Sequence, residues 1–233
     1  MKTILEYVAQ TRTLVAKGEC TTHPGNDPVD CGPCRGEHLA GGGGSEAEWR
    51  ILHAMAACDR LFPRRYRDAE VDHPDVEGWI EGLPARLEGG QSLALLGNVG
   101  SGKTHQAYGA LRALLVAVPQ ASWMCASFAD FVAALRPKAG VDSEAELSRF
   151  RDCDLLLLDD LGTAKSSEWV EEVTYRLVNG RYESMRPTIY TTNLPIGELR
   201  KVVGDRIASR LAETCVRVII TGEDRRRQHP EAA

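Results

Sequence analysis

SLALLGNVGSGKT, residues 92–104, is the stretch on which the reading of this chain turns. Leu93, Ala94, Leu95 and Leu96 make a short apolar run of strand character, and Gly97 follows at once. Asn98, Val99, Gly100 and Ser101 then separate it from Gly102-Lys103-Thr104, with His105 next in line. This is the G-x-x-x-x-G-K-[ST] spacing of a phosphate loop between a strand and a helix. Glycines let the backbone turn tightly and aim several N–H groups at a polyphosphate. A helix opening at Gly102 adds its positive end. Lys103 is then placed for the β- and γ-phosphates, and the Thr104 hydroxyl for Mg²⁺. Chance produces the pattern in about one chain in a hundred of this length, and the flanking strand and helix lower that further. Nucleotide binding is the expectation.

The 233 residues suffice for one full α/β domain and a small appendage. A hydrophobic share of 43% and a charged share of 26% are those of a globular protein. A formal charge of −5 leaves no whole-chain basic signature, so any nucleic-acid contact must come from a local patch. Glu6 stands where a signal peptide has its apolar region, and no small-residue cleavage site follows. The longest apolar run, Ala113 to Val118, falls far short of the ~20 residues of a membrane span. These features predict a cytoplasmic protein with no membrane contact. Seven cysteines in that compartment point to metal or free thiols.

Residues 1–40 read as an N-terminal module, 41–45 as a glycine-rich linker, and 46–233 as the nucleotide-binding domain. In the module, Ile4, Leu5, Val8, Leu14 and Val15 fall on one helical face, which either packs on its own domain or docks a partner. Cys20-x₂-His23 and Cys31-x₂-Cys34 follow, with seven residues between them. Two such pairs suit one tetrahedral Zn²⁺. The intervening Pro24, Gly25, Asn26, Asp27 and Pro28 cannot build a core, so a metal explains how the segment folds. His38 is an alternative to His23. Unligated thiols are the bland reading, and a redox pair lacks the strand and helix that such pairs use.

In the larger domain, 46–62 has helical periodicity through Trp49, Leu52, Met55, Ala56 and Leu61, with Cys58 read as a core thiol. The basic run Pro63 to Arg67 reads as a solvated turn, and Val76 to Leu83 as a short helix. Beyond Thr104, helices are predicted to Val118, over Phe128–Leu135, from Ser143 with Glu146 as its capping-box partner, over Glu168–Tyr182, and over Gly204–Leu211. Strands are predicted at Ala121–Ala126, Leu155–Leu158, Pro187–Thr192 and Cys215–Ile220. Leu155-Leu-Leu-Leu158-Asp159-Asp160 reads as a buried parallel strand with acids at the tip where open α/β sheets place their chemistry. Asp159 is expected to hold Mg²⁺ through water, and Asp160 to polarise an attacking water. Asn193, at the next strand tip, can orient that water, although alone it reads as a turn residue.

Together GNVGSGKTH (97–105), LLLLDDLG (155–162), TIYTTNLP (188–195), GDRIASRLAE (204–213) and ITGEDRRR (220–227) resemble the AAA+ replicative helicase loaders of the DnaC/DnaI type and the related IstB transposition helpers. The resemblance covers Phe62 to Arg227, and the Cys/His segment resembles the zinc module of DnaI-type and phage-borne loaders. It implies an AAA+ P-loop ATPase with a five-stranded parallel sheet, using ATP and Mg²⁺. Lys103 and Thr104 match the Walker A pair, Asp159 and Asp160 Walker B, and Asn193 sensor 1. Arg210 matches the arginine finger, with Arg206 its near competitor, and Arg226 matches sensor 2. The family's activity implies a weak ATPase that self-assembles with ATP, contacts single-stranded DNA and delivers a hexameric replicative helicase in replication initiation.

Departures from the family are specific. Asp160 stands where many AAA+ ATPases have Glu, which implies slow hydrolysis and a switch more than a motor. Asp224 replaces the usual Ser, and the short stretch after Arg227 implies little room for a lid. Arg136 and Lys138, near Phe131, are candidates for touching single-stranded DNA by charge and stacking. Two other functions compete: an IstB-like transposition helper, and a non-hydrolysing, nucleotide-gated adaptor. The Cys/His segment argues for the loader.

Overall fold

The structure, a computed structural model, describes residues 55–82, 88–118, 120–165 and 167–222. The expected zinc ligands Cys20, His23, Cys31 and Cys34, the linker and Arg226 lie outside the described residues.

Five short strands form one sheet: β1 (Ser92–Leu96), β2 (Trp123–Ser127), β3 (Leu155–Asp159), β4 (Thr188–Thr192) and β5 (Cys215–Ile219). Their order is β2-β3-β4-β1-β5, and every pairing is parallel. The four leucines of β3 show why. All are buried, and they alternate: Leu155 and Leu157 enter one apolar cluster, Leu156 and Leu158 the other. A strand buried on both faces needs helices on both.

Parallel neighbours also require crossover connections. Helix α1 (Pro74–Glu81) precedes the sheet and α2 (Lys103–Ala117) follows β1. Next, α3 (Phe128–Leu135) and α4 (Ser143–Asp152) lead to β3, and α5 (Glu168–Glu183) to β4. Finally, α6 (Ile196–Val203) and α7 (Asp205–Thr214) lead to β5. The cluster on one face joins Phe62, Trp79, Leu111 and Leu114 to the sheet. Phe131, Phe150, Leu177 and Ile207 cover the other. All strands end at the same edge, so the loop after β1, the acids of β3 and Asn193 after β4 emerge together. Because β4 lies between β1 and β3, its last residues separate the phosphate loop from the acids.

Most expected elements are present with ends shifted by one to three residues, and several expectations change. Helix α4 is capped by Asp142, whose carboxylate accepts from the N–H groups of Glu144 and Ala145, not by Ser143. Leu61 is exposed while Phe62 is buried, since the helix over 55–61 ends there. Helix α6 had no counterpart in the sequence reading. Phe131 is fully buried in the core, so it offers no stacking face beside Arg136 and Lys138. Cys58 is a core thiol as expected, and burial pushes it up to about 12.

The basic run after Pro63 is not merely a turn. Residues 62–72 lie as a strap along α2. Phe62 meets Tyr108 edge-on, and Tyr66 stacks on the same ring at 4.8 Å. Buried Arg112 pairs with Asp59 at 3.0 Å and donates to the Arg67 carbonyl. The Asp72 N–H donates to Gln106 Oε1 at 3.1 Å, and the Glu70 N–H to His105 Nε2 at 3.3 Å. Gly109 permits the approach: a Cβ there would lie 2.7 Å from the Glu70 carbonyl carbon. Across the sheet, buried Arg181 donates to the carbonyls of Phe150, Arg151, Cys153 and Pro187 and to Thr188 Oγ1. One guanidinium thus joins the end of α4 to the entries of β3 and β4.

Candidate functional site

At the end of β1 the chain turns through Gly97, Gly100 and Gly102 with φ of 154°, 82° and 102°. These are left-handed values that glycine adopts without the Cβ penalty. Gly97 answers to a second constraint. A Cβ on it would come within 2.2 Å of the Ile220 carbonyl oxygen, where Ile220 follows β5 and donates its N–H to Leu96. Gly102 caps α2, whose first residues are Lys103, Thr104 and His105. Lys103 is 4% exposed, and its Nζ donates to the Asn98 carbonyl at 2.6 Å. The ammonium is therefore held inside the arch of the loop. Among the other loop residues, Ser101 is buried and Val99 is exposed at the tip.

Three elements meet the loop through hydroxyl and carboxylate groups. The Thr104 hydroxyl donates to Asp159 Oδ1 at 3.0 Å. Thr191, on β4, donates to the same oxygen at 2.6 Å and accepts from the Asp160 N–H at 2.8 Å. Asn193 Nδ2 donates to Asp160 Oδ1 at 3.2 Å. Asp160 itself has φ of 55°, a left-handed conformation that Asp tolerates better than most side chains. Burial raises the Asp159 carboxyl above its ordinary value; the Thr191 and Thr104 hydroxyls pull it down, and the Asp160 charge pushes it up.

The cleft so formed holds about 440 Å³ and is lined by Gly100, Gly102, Lys103, Thr104, Asp159, Asp160 and Asn193. Volumes of ~300–1,000 Å³ are usual for small-molecule sites. Arg65, Tyr66, Val99 and His105 complete the wall. The strap therefore contributes directly to the site, which sequence reasoning missed. Thr191 was also missed. The donor set fits a Mg-nucleotide: a hydroxyl and a carboxylate in hydrogen-bond contact suit a hard cation, and a helix N-terminus with a buried lysine suits phosphate.

The remaining expected residues lie elsewhere. Arg210 and Arg206 are on α7, away from the residues that line the cleft. The Arg210 guanidinium sits 4.3 Å from the centre of the Tyr182 ring, and Arg206 sits 5.9 Å from that of Tyr175. The Tyr182 hydroxyl donates to Glu213 at 2.8 Å. Arg136 and Lys138 are exposed after α3. Among the described residues, no group of three or more His, Cys, Asp or Glu is arranged for a metal, and no helix is long and apolar enough to cross a membrane.

Comparison with known proteins adds to this geometry. The family model described as IstB-like ATP binding protein matches residues 85–233. The replicative helicase loader DnaC of Escherichia coli (strain K12) is 28% identical over 123 residues, which are 52% of this chain and 49% of that protein. The chain thus spans about half the length of the curated relatives it matches. Among solved structures, the DnaC helicase loader superposes with a TM-score of 0.60 at 24% identity, covering 68% of this chain and all of that one. DnaI does so with a TM-score of 0.60 at 22% identity, covering 69% and 95%. Both are likenesses of fold.

Proposed function

The chain belongs to the family of IstB-like ATP binding proteins, and from that membership we propose that it is an ATP-dependent loader of a replicative helicase. One observation carries the proposal: phosphate loop, paired acids and strand-tip amide are joined in one cleft by a chain of hydrogen bonds from Thr104 through Asp159 and Thr191 to Asp160 and Asn193. The similarity to a replicative helicase loader supports the choice of partner.

In this reading Lys103 and the N–H groups of residues 97–102 hold the triphosphate. Thr104 and Asp159 would hold Mg²⁺, which would supply positive charge against the phosphates. Asp160 accepts a proton from the attacking water, and Asn193 orients Asp160 and that water. Arg210 reaches the γ-phosphate of an adjacent copy, and Arg226 that of its own chain, as finger and sensor. Arg206 is the competing finger. Hydrolysis is weak, and its role is to switch an ATP-dependent assembly that contacts single-stranded DNA. Residues 1–40 dock the helicase, with Cys20, His23, Cys31 and Cys34 on Zn²⁺; metal analysis should then find one zinc per chain, lost on Cys31→Ser.

The test combines nucleotide, DNA and partner. Purified protein should bind a fluorescent ATP analogue, and Lys103→Ala should lose it. It should bind labelled single-stranded DNA weakly alone and more tightly with ATP, with affinity falling as salt rises. It should retain a replicative hexameric helicase in a pull-down. DNA binding indifferent to ATP counts against the loader. Capture of a transposase instead favours a transposition helper. Absence of turnover with DNA and partner present favours a nucleotide-gated adaptor.

A further inference from the structure

Thr191 was assigned no role in the nucleotide site from the sequence, yet among the described residues its hydroxyl bonds both the Asp159 carboxylate and the Asp160 backbone N–H. It sits on β4 in register with Leu95 of β1 and is fully buried. Its backbone carbonyl accepts from the Leu161 N–H at 2.8 Å, beyond the acids. We propose that Thr191 is a positioning residue: its hydroxyl fixes the Asp159 carboxylate for Mg²⁺ and locks it to Asp160.

The polarity of the hydroxyl is settled by its neighbours. A threonine has one proton to give. The Asp160 N–H can only donate, so Thr191 Oγ1 accepts there and its proton goes to Asp159 Oδ1. Thr104 donates to that oxygen as well, but it stands in the first turn of α2, where its hydroxyl would turn to the ligand. Thr191 is anchored in the middle of the sheet, so its grip does not depend on what occupies the cleft. The second bond matters equally. Asp160 is held at a left-handed φ, and the Thr191 hydroxyl and carbonyl clasp the N–H groups on both sides of it. Orientation of the metal-binding acid and of the strained acid thus derives from a single side chain.

The inference rests on the nucleotide-binding reading, and the test separates the two. A fluorescent ATP analogue is titrated against wild type, Thr191→Val, Thr191→Ala and Thr191→Ser, each with Mg²⁺ and with chelator. Loss of outer hydrogen bonds to metal ligands lowers metal affinity by about 10–100-fold. Valine keeps the shape and removes the hydroxyl, so half-maximal binding should require at least about tenfold more Mg²⁺, with metal-free affinity close to wild type. Serine should restore the wild-type requirement, which a purely packing role would not do. Alanine serves if the valine chain does not fold, as judged by its melting curve. Equal Mg²⁺ dependence of wild type and the hydroxyl-free variants overturns this inference alone. Failure of wild type to bind the analogue overturns the reading beneath it too.

Discussion

Asp160 occupies φ of 55° with its carboxylate under the Asn193 amide. In that backbone region Asp and Asn are favoured over longer side chains because their short polar groups bond locally. This supplies a physical reason for Asp where many related ATPases carry Glu. Asp160→Asn should therefore keep the fold, with a melting temperature near wild type. It should also keep Mg-ATP binding while lowering turnover about 10²–10⁴-fold, the usual worth of a general base. A variant with wild-type turnover would remove Asp160 from the chemistry. Lys103, Thr104, Asp159 and Asp160 were legible because each lies within a contiguous run whose neighbours announce it. Thr191 was not, since a threonine in TIYTT reads as an ordinary strand former. Its importance comes from the placement of β4 between β1 and β3. Gly97 was legible as a loop glycine, but the Ile220 carbonyl that forbids a side chain there was not.

At the scale of elements, the strap and α2 depend on close approach at Gly109, and Gly78 in α1 offers a control. A Cβ on Gly109 meets the Glu70 and Val71 backbone at 2.7–3.0 Å, whereas one on Gly78 meets nothing within 4 Å. Alanine gains about 1 kcal/mol over glycine in either helix. Overpacking against rigid backbone costs about 1–3 kcal/mol, so at Gly109 the penalty wins. Thermal melts should show Gly109→Ala less stable and Gly78→Ala more stable than wild type. Gly109→Ala should also weaken ATP binding, because the strap carries Arg65 and Tyr66 to the cleft. Two fall or two gains in melting temperature would refute this account. Helices with clear apolar spacing, such as α2 and α5, were read correctly because burial of one face decides them. Helix α6 escaped notice, being eight residues between Pro195 and Gly204 with little room for periodicity. The strap escaped because its basic residues look solvated until α2 is beside them.

For the whole molecule, sheet order was not written in any local pattern. Burial alone marked Leu155–Leu158 as a parallel strand, and the five-stranded parallel sheet was expected only from the family resemblance. The order β2-β3-β4-β1-β5 is set by long-range pairing between strands far apart in the chain. Placement of Arg210 on α7, outside the cleft lining, bears on assembly. If it serves a neighbour, Lys103→Ala and Arg210→Ala chains should each hydrolyse ATP at background, a finger being worth about 10³–10⁵. Mixed in equal amounts, about a quarter of randomly paired head-to-tail interfaces would join an intact loop to an intact arginine. Turnover should recover to that order, and a mixture as inert as its parts would exclude Arg210 acting on the site of a neighbour.

Phe62, Val76, Trp79 and Ile80 are at most 1% exposed, and all precede residue 85, where the family match begins. Trimming the protein to that match would strip one side of the sheet of its cover. Burying each such side chain stabilises by about 1.5–3 kcal/mol, and a native domain has only about 5–15 kcal/mol in hand. A fragment of residues 85–233 should therefore emerge insoluble or molten, while one beginning before the helix over 55–61 should give sharp spectra. The buried core thus begins ahead of the residue at which the family match does.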